Sequence, residues 1–307
     1  MKKVKYKSSI AILLLLVVIS VGFDVTNSWG TTVEELAKTV VFLRYKFQVY
    51  ETVDGKKVEV WYKLDPKKEE YEPKLGQKVG TGFVVKHNNQ LYIVTAKHVA
   101  DFLGDKAEVV MNLTPHKSMS MTFEALDKCP LIPGAKWFFD KSADVAIHPL
   151  CPPQPHMDQL SIPDTLILKD ESEIPLLSTV YVVGFPLGLG THHFLSPIAK
   201  KVQIASAPLS LTENKSALKL LLLDQALAQG YSGAPVFLIK DVMAKGFELG
   251  GKPFLKTGEQ IYLAGLVSAQ ISDKLGGKIS VIVPASYIWN VFLSPNFISY
   301  ENNLKEK

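Results

Sequence analysis

All seven histidines of this 307-residue chain precede Ser232, and that order limits the folds in which Ser232 could act as an acyl-transfer nucleophile. The residue stands in Gly230-Tyr231-Ser232-Gly233-Ala234, between glycines that leave its hydroxyl exposed and the backbone N–H groups of Gly230 and Ser232 free to converge. A serine hydroxyl is a weak nucleophile at neutral pH. It needs a histidine base, itself oriented by a buried carboxylate. An α/β-hydrolase carries these groups in the order serine, acid, histidine, and a subtilisin-type site in the order acid, histidine, serine. With no histidine after Ser232 the first arrangement is excluded, and Ala234 also breaks the G-x-S-x-G elbow of that fold.

The base candidate is His98. In GTGFVVKHNNQLYIVTAKHVA, two apolar strands separated by His87-Asn88-Asn89-Gln90 lead through Thr95-Ala96-Lys97 to this histidine, just past a strand end. The carboxylate candidate is Asp144 in KSADVAIHPL, an acid directly before the apolar run Val145-Ala146-Ile147, so its side chain can lie beneath a histidine. Each residue alone has an ordinary reading, as a surface histidine, a strand-capping acid or a turn serine. Together they give the order His98, Asp144, Ser232.

Around these residues the chain resembles the trypsin-like, chymotrypsin-fold serine peptidases, and most closely the bacterial high-temperature-requirement branch. TAKHVA resembles the family's TAAHV block, ADVAI its D-[ILV]-A-[IL] block, and YVVGFPLGLG its glycine-proline segment before the second barrel. DQALAQGYSGAPVF resembles the serine block, with Asp224 eight residues before Ser232, and YLAGLVSAQ resembles the strand that lines the substrate. The resemblance spans roughly residues 38 to 290. It departs at Tyr231, where the family usually has Asp or Asn, so the switch in which a new N-terminus pairs with that Asp has no acceptor. It departs again at Ala234, in place of the second Gly.

The resemblance implies an all-β fold of two antiparallel six-stranded β-barrels with a short C-terminal helix. It implies catalysis by His98, Asp144 and Ser232, an oxyanion hole from the N–H groups of Gly230 and Ser232, and polypeptide substrates held along Ser268, Ala269 and Gln270 beside Ala226. Ser280 is a further candidate for the pocket. No metal or organic cofactor is expected. A second reading is a non-catalytic peptide-binding module on the same fold.

The strand pattern is consistent with this class. Short apolar runs at Thr39–Leu43, Gly82–Val85, Leu91–Thr95, Ala107–Met111, Val180–Val183, Leu218–Leu223 and Ile261–Val267 are separated by Gly, Pro, Asn and Lys clusters, as in a barrel or sandwich. Val33–Ala37 reads as a short helix and Ala285–Leu293 as the C-terminal one. Residues 46 to 63 alternate around Val53-Asp54-Gly55 as a hairpin, and the glycines of residues 244 to 259 read as a loop excursion. The expected division is 31–170 for an N-terminal barrel with His98 and Asp144, 171–295 for a C-terminal barrel with Ser232, and 296–307 for a tail too short for a PDZ module.

The net charge of +4 sits almost wholly at the N-terminus, where residues 1–30 hold four Lys and one Asp, leaving +1 beyond them. That balance offers no phosphate-binding surface, and no nucleic-acid partner is expected. Lys2, Lys3, Lys5 and Lys7 precede the largely apolar run Ile10–Phe23, and Ser28-Trp29-Gly30 supplies small residues for cleavage, a secretory signal pattern over residues 1–30. The expectation is a periplasmic or secreted protein. An uncleaved anchor over residues 8–23 is the alternative, and only then is the membrane a partner. Nothing in the sequence indicates an oligomer.

Cys129 and Cys151 flank the Asp144 strand, each beside a proline. In an oxidising compartment they could pair, or they could be two separate buried thiols. Zinc on Cys129, His148, Cys151 and His156 is disfavoured, because Pro152, Pro153 and Pro155 stiffen the segment and no C-x-x-C pair is present.

Overall fold

The computed structural model describes residues 33–53, 56–63, 71–104, 106–114, 116–151, 160–191, 193–213, 216–247, 253–272 and 277–305. The expected signal segment, residues 1–30, lies outside them, as do His156 and His192.

Two antiparallel sheets carry the fold. The first is built from β1 (Val40–Gln48), β2 (Leu75–His87), β3 (Gln90–Thr95), β4 (Glu108–Thr114), β5 (Lys117–Thr122) and β6 (Ala146–Leu150), in the spatial order β6-β3-β2-β1-β4-β5. The short strand Phe138–Phe139 extends it beside β6, and Ile162–Pro163 pairs in parallel with β2. The β2–β3 turn places Asn88 and Asn89 at φ +48° and +63°. Two successive positive φ values match the twist of a tight hairpin, and asparagine tolerates them better than most residues.

The second sheet comprises β7 (Thr179–Gly184), β8 (Ile198–Gln203), β9 (Ser216–Leu223), β10 (Pro235–Phe247), β11 (Pro253–Ser272) and β12 (Lys278–Pro284), in the order β8-β7-β10-β11-β12-β9, with Leu209–Glu213 beyond β9. The all-β chymotrypsin-type class and the six main strands per sheet stand. Full closure of both barrels does not. No pairing joins β5 to β6 among the described residues, so the first sheet stays an open ladder. In the second, an isolated bridge from Ile204 to Leu223, flanked by Ala205 N–H to Leu222 O at 2.8 Å and Asp224 N–H to Gln203 O at 3.0 Å, brings the two end strands together.

Two other expectations are corrected. The glycine cluster of residues 244–259 is no loop excursion: β10 and β11 pair out to Phe247 opposite Pro253, with Gly246 facing Phe254 and Gly258 facing Val242. Glycine weakens a strand without preventing its ladder hydrogen bonds. The segment from 296 onward is no tail either. Short helices α1 (Val33–Ala37), α2 (Lys97–Leu103), α3 (Phe123–Asp127) and α4 (Ser286–Phe292) are followed by α5 (Pro295–Lys305), which buries Phe297, Tyr300 and Glu301. The expected hairpin does form, with Tyr50–Val53 against Lys56–Glu59.

Helix α5 docks on the first sheet through an aromatic cluster. Phe297 lies with ring centroids 5.1–5.2 Å from Phe138, Phe292 and Tyr92. The carboxylate of Glu301 accepts from Tyr92 Oη and Asn88 Nδ2, both at 2.9 Å, so its burial is hydrogen-bonded on both oxygens. The apolar core runs from one sheet to the other, with Phe42 of β1 against Phe185 after β7 at a 5.3 Å centroid distance.

Cys129 and Cys151 form a disulfide, their Cα atoms 6.2 Å apart. It ties the segment after α3 to the end of β6. His148 offers its two ring nitrogens to Pro149 O at 2.7 Å and Asp127 Oδ1 at 2.9 Å. Three of the residues considered for zinc, Cys129, Cys151 and His148, thus serve other bonds.

Candidate active site

Strand β3 ends at Thr95, and α2 begins two residues later, so His98 sits in the first turn of a helix immediately past a strand end. Asp144 directly precedes the segment that becomes β6, whose Ala146 pairs with Thr95. This register sets the acid beside the histidine. Asp144 Oδ1 accepts the backbone N–H of His98 at 2.8 Å, while Oδ2 accepts His98 Nδ1 at 2.7 Å. One carboxylate therefore caps the helix start and fixes the ring. In a neutral imidazole that donates Nδ1–H to the acid, Nε2 is the nitrogen left to accept a proton.

A third donor comes from the other sheet. Ser268 Oγ donates to Asp144 Oδ2 at 2.6 Å, and Ser268 is 8% exposed. Burial pushes the Asp144 carboxyl up. The hydrogen bonds from His98 and Ser268, with the field of the imidazole, outweigh it and hold the group below the ordinary carboxylate range. The sequence placed Ser268 on the substrate strand and gave no sign of this bond.

Ser232 lies half-buried in the loop before β10. The peptide groups around it are fixed almost one by one. Gln229 O accepts from Leu187 N–H at 2.6 Å, Tyr231 O from Ala234 N–H at 2.8 Å, and Ser232 O from Thr81 N–H at 2.9 Å, while Gly233 N–H donates to Val267 O at 2.7 Å. The N–H groups of Gly230 and Ser232 donate to no group among the described residues. A planar peptide points its carbonyl and N–H in opposite directions. Anchoring the carbonyls of Gln229 and Tyr231 thereby aims the N–H groups of Gly230 and Ser232 away from those anchors.

Glycine is required at two of these positions. Gly230 has φ +100° and a Cβ there would meet Phe185 O at 2.3 Å, while Gly233 has φ +82° and a Cβ there would meet Thr95 Oγ1 at 2.1 Å and Thr81 O at 2.2 Å. Tyr231 is buried, its hydroxyl donating to Ile198 O at 3.2 Å, and burial raises its pKa. No hydrogen bond joins Ser232 Oγ to His98 among the described residues. Such bonds are often long without substrate and tighten in the complex.

Of the expected substrate-contacting residues, Ala269 and Gln270 are exposed and follow Val267 on β11. Up to Val267 that strand is bonded to β10 or the serine loop on one side, and beyond it, among the described residues, only β12 is paired, on the other. Ala226 is half-buried, and its carbonyl accepts Lys200 Nζ at 2.7 Å. Ser280 is buried and accepts Leu227 N–H, while Asp224 accepts Gln203 N–H at the end of β8. Among the described residues no cluster of His, Cys, Asp and Glu has metal-binding geometry.

The family model of the trypsin-like peptidase domain matches residues 80–242, just over half the chain. The chain belongs to that family and is a trypsin-like serine endopeptidase, a hydrolase. Among solved structures it is similar to the active form of the Rv3671c protease of M. tuberculosis, at 16% identity over 86% of this chain and 84% of that one, with a TM-score of 0.47. It is similar too to the HtrA-type protease AlgW with a decapeptide, at 15% over 87% and 65%, TM-score 0.48. The apo MamO protease domain of Magnetospirillum magneticum is 15% identical over 69% and 86%, TM-score 0.43. No curated protein matches the chain.

Proposed function

We propose that this endopeptidase works through His98, Asp144 and Ser232, with the N–H groups of Gly230 and Ser232 as the oxyanion hole. The observation that carries the reading is the pairing of an Asp144-oriented imidazole with a serine loop in which the N–H groups of Gly230 and Ser232, flanking Tyr231, have no acceptor among the described residues and are aimed by the anchored carbonyls of Gln229 and Tyr231. Substrate adds as an extended strand to the free edge of β11 at Ser268–Gln270, in the β-augmentation mode. Ser232 Oγ attacks the scissile carbonyl while His98 Nε2 takes its proton. Asp144 keeps the tautomer and stabilises the imidazolium. The carbonyl oxygen becomes an oxyanion held by the two N–H groups, each worth about 2.7–4 kcal/mol in comparable sites. His98 then protonates the leaving amine, the C–N bond breaks, and water hydrolyses the acyl-enzyme by the reverse proton path.

The unjoined Ser232 and His98 side chains would suit a peptide-binding module instead, and one experiment separates the readings. A fluorophosphonate probe labels Ser232 in a competent site, and Ser232→Ala abolishes both labelling and peptide hydrolysis while the protein stays folded. Hydrolysis retained by pure Ser232→Ala protein refutes the assignment.

The substrates proposed are exported or misfolded polypeptides, met in a periplasmic or extracellular setting. The Lys-rich apolar N-terminus and the Cys129–Cys151 disulfide support that location. No helix among the described residues is long and apolar enough to cross a membrane. N-terminal sequencing of exported protein should begin at Thr31, and full-length chain in the membrane fraction would mean an anchor.

A further inference from the structure

Thr81 lies on β2 of the first sheet, fully buried, and its sequence setting Gly80-Thr81-Gly82 reads as no more than strand. All its polar atoms engage the serine loop and its supports. Its N–H donates to Ser232 O at 2.9 Å, and its Oγ1 donates to Gly230 O at 2.7 Å. The same Oγ1 accepts Phe185 N–H at 3.1 Å, and its carbonyl accepts Thr95 Oγ1 at 2.7 Å. One residue of the sheet that bears His98 thus grips the carbonyls of Gly230 and Ser232, the two residues proposed to form the oxyanion hole, and it also grips the backbone two residues before Leu187. Leu187 N–H in turn holds the carbonyl of Gln229.

The consequence follows from hydroxyl chemistry. A threonine hydroxyl has one proton to donate and lone pairs to accept, so it can serve Gly230 O and Phe185 N–H at once. Valine has nearly the same shape and can do neither. With the hydroxyl removed, Gly230 O and Phe185 N–H lose their buried partner. The Gly230–Tyr231 peptide then loosens, and so does the Phe185–Leu187 backbone, whose Leu187 N–H anchors the Gln229 carbonyl and thereby aims the Gly230 N–H. Resting on the oxyanion assignment above, we propose that Thr81 is a positioning residue: across the boundary between the sheets, its hydroxyl holds Gly230 from both flanks, directly through Gly230 O and, through Phe185 and Leu187, at the Gln229 carbonyl that aims the Gly230 N–H into the oxyanion hole.

The test is the series Thr81→Ser, Thr81→Cys and Thr81→Val, assayed with a peptide substrate and with a peptide aldehyde whose adduct on Ser232 carries an oxyanion. Ser keeps the hydroxyl, Cys offers a weak S–H donor, and Val offers none. Removing an oxyanion donor outright costs about 10²–10³ in kcat, so misaiming one should cost roughly 10–100-fold. Thr81→Ser should stay within about threefold of wild type, Cys should fall between, and Val should be lowest. KM should change little, and aldehyde affinity should fall in step with kcat. If Thr81→Val does not accumulate as folded protein, the Thr, Ser and Cys comparison still decides. Wild-type kcat in the Cys or Val variant overturns the proposal, as does a Ser variant as weak as Val, which would mean that the methyl packing matters and the hydroxyl does not. Failure of the triad reading is distinct, since wild type itself would then escape the fluorophosphonate label.

Discussion

Truncating Phe297 to alanine tests whether the last helix is part of the folded unit. The side chain is fully buried and meets Phe138, Tyr92 and Phe292 at 5.1–5.2 Å, with Tyr300 at 6.3 Å. A buried Phe→Ala change removes the transfer term and leaves a cavity, together about 3–5 kcal/mol. The surroundings favour the middle of that range or above. They are rings held from three elements, β3, α4 and the Phe138–Phe139 strand, and cannot easily collapse into the space. In a chain of this size each kcal/mol moves Tm by about 1.5–2 °C, so a loss near 4 kcal/mol lowers Tm by roughly 6–8 °C. Scanning calorimetry or a circular dichroism melt reads this directly. Ile298, 43% exposed on the same helix, is the control, because Ile298→Ala should stay within about 0.5 kcal/mol. Peptidase activity well below the transition should be near wild type in both, since α5 touches none of the proposed catalytic groups. Equal melting of the Phe297→Ala and wild-type proteins would refute the packing argument.

Three further outcomes are expected. Asp144 has a folded pKa below its ordinary value, so its charge contributes stability that is present above about pH 4 and lost as pH falls through the depressed value. The Tm difference between wild type and Asp144→Asn should therefore narrow on acidification from pH 6 to below pH 3, and a constant difference would contradict the shift. Gly233→Ala forces a Cβ against Thr95 Oγ1 and Thr81 O at 2.1 and 2.2 Å, so fluorophosphonate labelling of Ser232 should fall at least tenfold; an unchanged labelling rate would show that the loop relaxes freely. Before the scissile bond, a small or medium apolar residue such as Val, Ala or Leu should be preferred. Ala226, Ser268, Ala269, Gln270 and Ser280 carry no charge, and the Lys200 ammonium behind Ala226 disfavours a basic side chain further. Peptide-library profiling checks this, and dominant cleavage after Arg or Lys would overturn it.

The residues of the proposed site were legible because their signals are local. TAKHVA, ADVAI and GYSGA each place a candidate group at the end of a strand or in a glycine turn, and His98 and Asp144 lie hydrogen-bonded to each other. What stayed hidden depends on pairs far apart in the chain. The Ser268 bond to Asp144 spans 124 residues and the Thr81 bond to Gly230 spans 149, so neither leaves a mark in any short window. Helix α5 was misread for a different reason. Its buried face includes Glu301, which looks solvent-seeking until Asn88 and Tyr92 are found waiting for it. The open edge of the first sheet likewise follows from tertiary placement, since strand periodicity fixes which face is buried and not whether the last strand meets the first.

On the proposed assignment the base and acid ride on one sheet and the nucleophile on the other, with Ser268 and Thr81 reaching across between them. Turnover then works as a gauge of how well two bodies are aligned. A displacement of about 1 Å between reacting groups can cost about 10²-fold in rate, whereas the strands within each sheet would barely register such a slip. Mild heat or denaturant should therefore silence the enzyme while its secondary structure is still intact, and catalysis becomes the most sensitive thermometer the molecule carries.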